Sequence, residues 1–164
     1  MDTKIEDYVD VDERLVQLGC KEASGITLLP TNFKSASKIE EFRQEAEAAT
    51  VKTLFREAGI PLTEIVDREQ RPKYIQNNFA EWVGPTLLIS SALWSQNQYA
   101  VTLALNIISN YLTDLFRGTK ANNVKLNFVI RTTKSQTYKH ISYEGNVAGI
   151  ANLEKLLRDV ANEK

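Results

Sequence analysis

The sequence predicts an α+β fold in which helices pack on a small sheet that includes a C-terminal β-hairpin followed by a helix. Three observations support this prediction. Apolar and polar residues alternate from 124 to 131, which is the period of a half-buried strand. Residues 99–117 form a largely apolar helical stretch that Gly118 closes. Residues 150–160 place their large apolar side chains at helical spacing, which predicts a final amphipathic helix.

The N-terminal segment is acidic. The spacing of its apolar residues fits a short helix and a loosely packed acidic arm over residues 1–22 equally well, so both expectations stay open. After it, residues 25–30 read as a short strand that Pro30 ends. Six carboxylates lie among the first thirteen residues: Asp2, Glu6, Asp7, Asp10, Asp12 and Glu13.

The next predicted element is a helix. Ser37 precedes Glu40 by three residues, which is the spacing of a capping box at a helix start. We expect this helix to run to about Ala58, where Gly59 can adopt the left-handed conformation that ends helices.

The middle of the chain is harder to assign. Residues 62–66 fit a second short strand. Apolar and aromatic residues at helical intervals between Tyr74 and Val83, including Phe79, predict a helix that ends at Gly84-Pro85. Residues 87–94 fit a helix or a strand equally well.

The C-terminal third shows the clearest pattern. The strand at 124–131, a polar turn at 132–136 and a return strand at 137–143 form a predicted hairpin. With no linker long enough to separate two units, residues 1–164 are predicted to be a single domain. The hairpin and the last helix should share a core made of Val124, Leu126, Phe128, Ile130, Leu153, Leu156 and Leu157.

Composition excludes several classes of protein. Hydrophobic residues make up 43% of the chain, charged residues 25%, and the formal net charge is −1, which is typical of a soluble globular domain. One Cys and one His exclude a disulfide framework and a zinc site built within one chain, so we expect neither metal nor cofactor. The acidic start does not resemble a secretory signal, which favours a cytoplasmic location.

Residues 82–113 carry no charge at all, a length that could span a bilayer. Gly84-Pro85 and the polar run 95–98 interrupt this stretch, and further Ser and Asn residues dilute it. Because polar amides inside a bilayer need internal partners, the pattern favours a buried core of a soluble protein over a membrane segment.

A stripe of uncharged polar residues follows one side of the predicted helix 99–117. A solvent-facing stripe normally contains Lys or Glu, so their absence indicates a buried edge under a loop, a contact with another subunit, or the wall of a water-filled channel. We hypothesise that this stripe mediates self-association. Its members are Thr102, Asn106, Ser109, Asn110 and Thr113.

The second unusual feature is a stretch without acids between Leu115 and Tyr143. Its cations could face the acidic N-terminal segment of the same chain, an acidic protein partner, or the phosphates of a nucleic acid. The near-zero net charge argues against the nucleic acid. The basic-surface candidates are Arg117, Lys120, Lys125, Arg131, Lys134, Lys139 and His140.

The catalytic inventory is small. Cys20 and His140 could form a thiolate–imidazole pair only if the fold brought them together, and nothing in the sequence does so. No phosphate-binding glycine loop and no set of metal ligands is present. We therefore predict a non-catalytic protein that acts through protein–protein contacts. Two alternatives stay open: weak nucleic-acid binding by the basic hairpin 117–140, and an enzyme whose site is completed at an oligomer interface.

The order of parts from 85 to 162 resembles a known group of proteins. A helix closing in Leu112-Thr113-Asp114-Leu115, a basic hairpin, Glu144-Gly145 and a Leu-rich helix at 151–160 are similar to small effector-associated accessory domains of bacterial conflict systems. The resemblance implies a non-catalytic adaptor or regulator and carries over no catalytic residue.

Overall fold

A computed structural model describes residues 2–77, 81–119 and 122–164 of the chain. It confirms the α+β prediction, with these strands and helices along the chain: β1 (Asp2–Asp7), α1 (Val11–Leu18), β2 (Ile26–Leu29), β3 (Arg43–Glu45), α2 (Ala48–Glu57), β4 (Leu62–Glu64), β5 (Lys73–Ile75), β6 (Glu81–Ile89), α3 (Ser91–Gln96), α4 (Tyr99–Leu115), β7 (Asn123–Arg131), β8 (Tyr138–Gly145) and α5 (Leu153–Ala161). Short 3₁₀ turns occupy Ile39–Glu41, Arg68–Gln70 and Val147–Asn152.

A six-stranded mixed sheet organises the fold, in the order β1-β8-β7-β6-β2-β4. β6 and β7 run parallel in its centre, and β2 and β4 run parallel at one end, while the other neighbours are antiparallel. β3 and β5 form a separate two-stranded parallel sheet. The predicted hairpin is β7–β8, and α5 follows it as predicted.

Both faces of the six-stranded sheet are packed, because alternate residues of its central strands point to opposite sides. In β7, Phe128 and Ile130 join the core under α2, α4 and α5, whereas Val129 joins a second core with α1 and the segment 30–45. The predicted core shared by the hairpin and the last helix is confirmed: Val124, Leu126, Phe128, Ile130, Leu153 and Leu157 are buried, and Leu156 packs against them half-buried.

Residues 2–22 form an edge strand and a helix where a loosely packed arm was one expectation. β1 pairs with β8 along its whole length. α1 begins at the N-cap Asp10, whose side chain accepts a hydrogen bond from the Glu13 backbone N–H, and it buries Val11 and Leu15 against the second core. The acids of this segment therefore sit on ordered backbone beside the hairpin.

The predicted helix 37–58 is wrong in its first half. Arg43–Glu45 pairs with β5 as a strand, and Phe42 is 1% exposed inside the second core. The Ser37 N–H donates to the carboxylate of Glu41, 3.1 Å away, in place of the expected capping box with Glu40. Strand pairing and burial of Phe42 thus override the local helix signal. The end was predicted correctly, since α2 stops at Glu57 and Gly59 has a φ of +74°.

The predicted helix between Tyr74 and Val83 is also wrong; its residue Phe79 lies outside the described residues. Tyr74 and Ile75 belong to β5, while Trp82 and Val83 begin β6. The Gly84-Pro85 dipeptide lies inside β6, where the register with β7 shifts between Val83 and Thr86. A bulge leaves one residue unpaired, so a proline is tolerated there without loss of a ladder hydrogen bond.

Candidate interaction surfaces

α4 presents an uncharged exposed face along most of its length. Its buried side holds Val101, Ala104, Leu105, Ile108 and Leu112. On the opposite side the exposed fractions of Tyr99 and Leu103 are 76% and 45%, unusually high for large apolar side chains. The α4 face, as we call it, consists of the exposed residues Tyr99, Leu103, Asn106, Asn110 and Thr113.

The structure divides the predicted polar stripe into two parts. Asn106, Asn110 and Thr113 are exposed on the α4 face. Thr102 and Ser109 are half-buried and line a small cavity with the 3₁₀ turn that precedes α5, and the exposed Asn106 lies at the edge of the same cavity. The buried-edge interpretation therefore fits Thr102 and Ser109, the contact interpretation fits Asn110 and Thr113, and Asn106 lies between the two environments.

Sequence reasoning missed Tyr99 and Leu103. The signal was present, because the five residues of the α4 face follow one another at steps of four, three, four and three. Such steps average 3.5 residues, the repeat with which one helix meets another in a coiled coil. Grouping only the polar residues hid that repeat.

The predicted basic surface is largely neutralised within the chain. Lys134 is exposed in the hairpin turn, and Lys120 lies outside the described residues. His140 is half-buried, with its Nε2 3.0 Å from Asn127 Oδ1. The other four candidates form ion pairs: Arg117 with Asp114 at 2.8 Å, Lys125 with Glu81 at 3.4 Å, Arg131 with Asp12 at 2.7 Å, and Lys139 with Asp7.

Two of these pairs join the hairpin to the acidic N-terminal segment, which was one of the three partners considered for it. The register of β1 against β8 places Asp7 opposite Lys139. The ion pair with Lys139 holds the pKa of Asp7 below its usual value. The intramolecular interpretation of the basic stretch is therefore the one that these contacts favour.

Asp12 anchors a polar cluster beside α1. One of its oxygens, Oδ2, accepts hydrogen bonds from Arg131 Nη1 at 2.7 Å and from the Tyr138 hydroxyl at 2.9 Å. The Arg131 guanidinium also lies over the Tyr138 ring, 5.5 Å from its centroid. Burial and the neighbouring Asp12 carboxylate raise the pKa of Tyr138, so this phenol stays protonated at neutral pH.

The same cluster borders an open cavity of about 380 Å³ at the carboxyl ends of the parallel strands β6 and β7. Ser24, Ser90 and Ser91 are among the residues that line it. A serine nucleophile needs an adjacent base, and the only histidine lines a different cavity with Glu6 and Lys34. The cavity can hold a small polar molecule by hydrogen bonds, but its described lining has no histidine to activate these serines.

The remaining catalytic candidate is Cys20. Burial raises the pKa of its thiol, which keeps it protonated and weakly nucleophilic. Within the described ranges it shares no hydrogen bond with His140, and no cluster of three or more His, Cys, Asp or Glu side chains could hold a metal ion. Helices in these ranges are all too short or too polar to cross a membrane.

The chain was compared with protein-family models, with curated proteins and with solved structures, and none of them matches it.

Proposed function

We propose that this chain is a non-catalytic interaction protein of the cytoplasm, of the kind that serves as an accessory component in bacterial conflict systems, and that it works through self-association. The contact surface is the α4 face, and its occupant is the α4 face of a second copy. The observation that carries the proposal is the exposed 3.5-residue repeat of uncharged side chains on a 17-residue helix.

The repeat fits an antiparallel pair of α4 helices related by a two-fold axis at Asn106. In that arrangement Asn106 of one copy meets Asn106 of the other, and Tyr99 lies near Thr113. A side-chain amide both donates and accepts hydrogen bonds, so two copies of Asn106 can satisfy each other. A polar residue at one such position also fixes the register of a helix pair.

Charge supports a neutral occupant. The α4 face has no ionisable side chain between Tyr99 and Thr113 except the Tyr99 phenol, and Glu154, which lines the cavity beside Asn106, is paired with Arg158. The five residues of the α4 face therefore bring no charge of their own to a contact with a second copy. The helix is about 25 Å long, and its exposed aromatic and depleted charge are typical of interface centres. The alternative of nucleic-acid binding has less support, because the cations that would carry it are paired with acids.

Asn106→Lys tests the proposal, since two lysines would face each other at the two-fold axis. We expect the Kd of the α4 contact to rise by roughly tenfold or more, measured by sedimentation equilibrium over a concentration series. Gln17→Lys is the matched control, because it adds the same charge to an exposed position of α1. Assembly that is equally strong in wild type and in Asn106→Lys would contradict the proposed function.

A further inference from the structure

β1 is an edge strand of the six-stranded sheet: no strand among the described residues pairs with its outer side, and all six of its residues are exposed. The opposite edge is protected: β4 has three residues, follows Pro61, and its Glu64 carboxylate binds Lys52 at 2.7 Å and Arg71 at 3.3 Å. A six-residue edge without such cover presents backbone groups that can pair with another strand.

The hydrogen bonds of the hairpin fix which groups β1 presents. The Tyr8 N–H donates to the Tyr138 carbonyl at 3.1 Å, and the β1–β8 register places these two residues opposite each other. Residues of an antiparallel strand alternate between pointing their N–H and C=O inward and outward. Lys4 and Glu6 therefore direct their backbone groups to β8, while Thr3, Ile5 and Asp7 direct theirs to the open edge.

We propose that β1 pairs in antiparallel fashion with β1 of a second copy, with Ile5 opposite Ile5 at the two-fold axis. This register pairs the outward backbone groups of Ile5 with each other and those of Thr3 with those of Asp7. It joins the two six-stranded sheets into one continuous sheet. The contact is separate from the α4 face and does not depend on it.

Side-chain charge selects this register. With Ile5 at the axis, Lys4 of each copy lies opposite Glu6 of the other, on the face that carries the Lys4–Glu6 ion pair of 2.8 Å within each chain. The two strands can slip past each other by two residues without turning their side chains to the other face of the sheet. Such a slip moves the two-fold axis by one residue, from Ile5 to Lys4 or to Glu6. Either shift places two like charges directly opposite each other, which destabilises a strand pair.

Ile5 adds an apolar contact at the axis. Its exposed fraction is 48%, and it lies opposite the fully buried Ile141 of β8. Ile141 belongs to the core under α4 and α5. The pairing of two Ile5 side chains therefore extends that core across the two-fold axis and removes an exposed large apolar group from water.

The test uses the Asn106→Lys chain, in which the α4 contact is weakened, and asks whether the dimer that remains depends on β1. Lys4→Glu and Glu6→Lys, each added to this chain, place like charges opposite each other. We expect each to raise the dimer Kd by roughly tenfold or more. An equimolar mixture of the two variants should form a heterodimer, because glutamates of one chain then face lysines of the other.

Mixing cannot repair a defect within one chain, so rescue by mixing reports on the contact between chains. A mixture that stays monomeric, or single variants that dimerise like the parent, would overturn the proposal. A parent Asn106→Lys chain that is monomeric at all concentrations would overturn the proposal too. The outward backbone groups of β1 would then be hydrated, or would pair with a strand of another protein.

A proline pair gives a second measurement. Ile5→Pro removes an outward N–H and should abolish the dimer without lowering the melting temperature of the monomer. Glu6→Pro removes an N–H directed at β8 and should lower that melting temperature. Equal loss of stability in both variants would overturn the assigned direction of the backbone groups.

Discussion

His140 is the chain's only histidine, and its ring is held between the sheet and the N-terminal segment. Its Nε2 lies 3.0 Å from Asn127 Oδ1, and the ring packs at a tilt against Tyr8 with centroids 5.6 Å apart. Burial lowers the pKa of His140; the Glu6 carboxylate acts in the opposite direction, and Lys34 lowers the pKa further. The folded protein therefore binds this proton more weakly than the unfolded chain.

This difference makes stability depend on pH. Below the ordinary histidine pKa of 6.5 the unfolded chain binds more protons than the folded one, so the free energy of unfolding decreases as pH falls towards the folded pKa. Urea unfolding between about pH 8 and pH 5 should show this loss in wild type. His140→Gln should show a smaller loss over the same range. An identical pH dependence in both proteins would contradict the assigned burial.

At the scale of elements, β6 depends on Gly84. A Cβ at this position would lie 2.7 Å from Trp82 Cζ3 and 3.0 Å from Leu126 Cδ2, both closer than van der Waals contact. Trp82 and Leu126 are buried in the core beneath the helices, so neither can move freely. The glycine thus lets the bulged strand pass over the tryptophan ring.

Gly84→Ala should therefore destabilise the protein by about 1–3 kcal/mol, the usual cost of overpacking a core. Chemical denaturation followed by tryptophan fluorescence measures the change. The same substitution in a Trp82→Leu background is the control: it should cost less, because the nearest ring atoms are gone. A cost that is equal in the two backgrounds would show that the ring is not what opposes the added methyl group.

The elements that could be predicted are those whose own side chains determine them. The alternation in β7 and the helical spacing in α4 and α5 each determine one element, and all three are confirmed. β3 and β5 could not be predicted, because each has only three residues and is held by a partner about thirty positions away. Burial of Phe42 also favours the strand conformation of the residues that follow it. No local sequence pattern shows which aromatic residue will be buried in the core.

The candidate surface was partly visible in the sequence for the same reason. The lack of charge on one side of an amphipathic helix is enough to identify Asn106, Asn110 and Thr113 as contact candidates from the sequence. The open edge at β1 could not be seen, because it depends on pairing with β8 more than a hundred residues later. Long-range register also decides which acid meets which cation, as in Asp7–Lys139 and Asp12–Arg131.

For the whole molecule, the net charge of −1 is a cancellation between distant segments that the topology brings side by side. The acid-rich N-terminus lies against the acid-free hairpin through β1 and α1. A surface whose cations are neutralised in this way has little field with which to attract a polyanion. The same contacts help to order the N-terminal segment, which the sequence left open between a helix and a loose arm.

Removing the acids should therefore expose a basic surface that binds nucleic acid more strongly than the wild-type surface does. Asp7→Asn with Asp12→Asn frees Lys139 and Arg131 and changes the formal net charge from −1 to +1, because two carboxylates become amides. We expect the double variant to bind a labelled DNA duplex at low salt, measured by fluorescence anisotropy, while wild type does not. For two phosphates contacted, log K should fall against log salt with a slope of about −2.

Glu22→Gln with Glu57→Gln is the control, because it changes the net charge equally at exposed sites away from the hairpin. This control variant should bind DNA no better than wild type. DNA binding by wild type as strong as by the double variant would contradict neutralisation of the hairpin by the N-terminal acids.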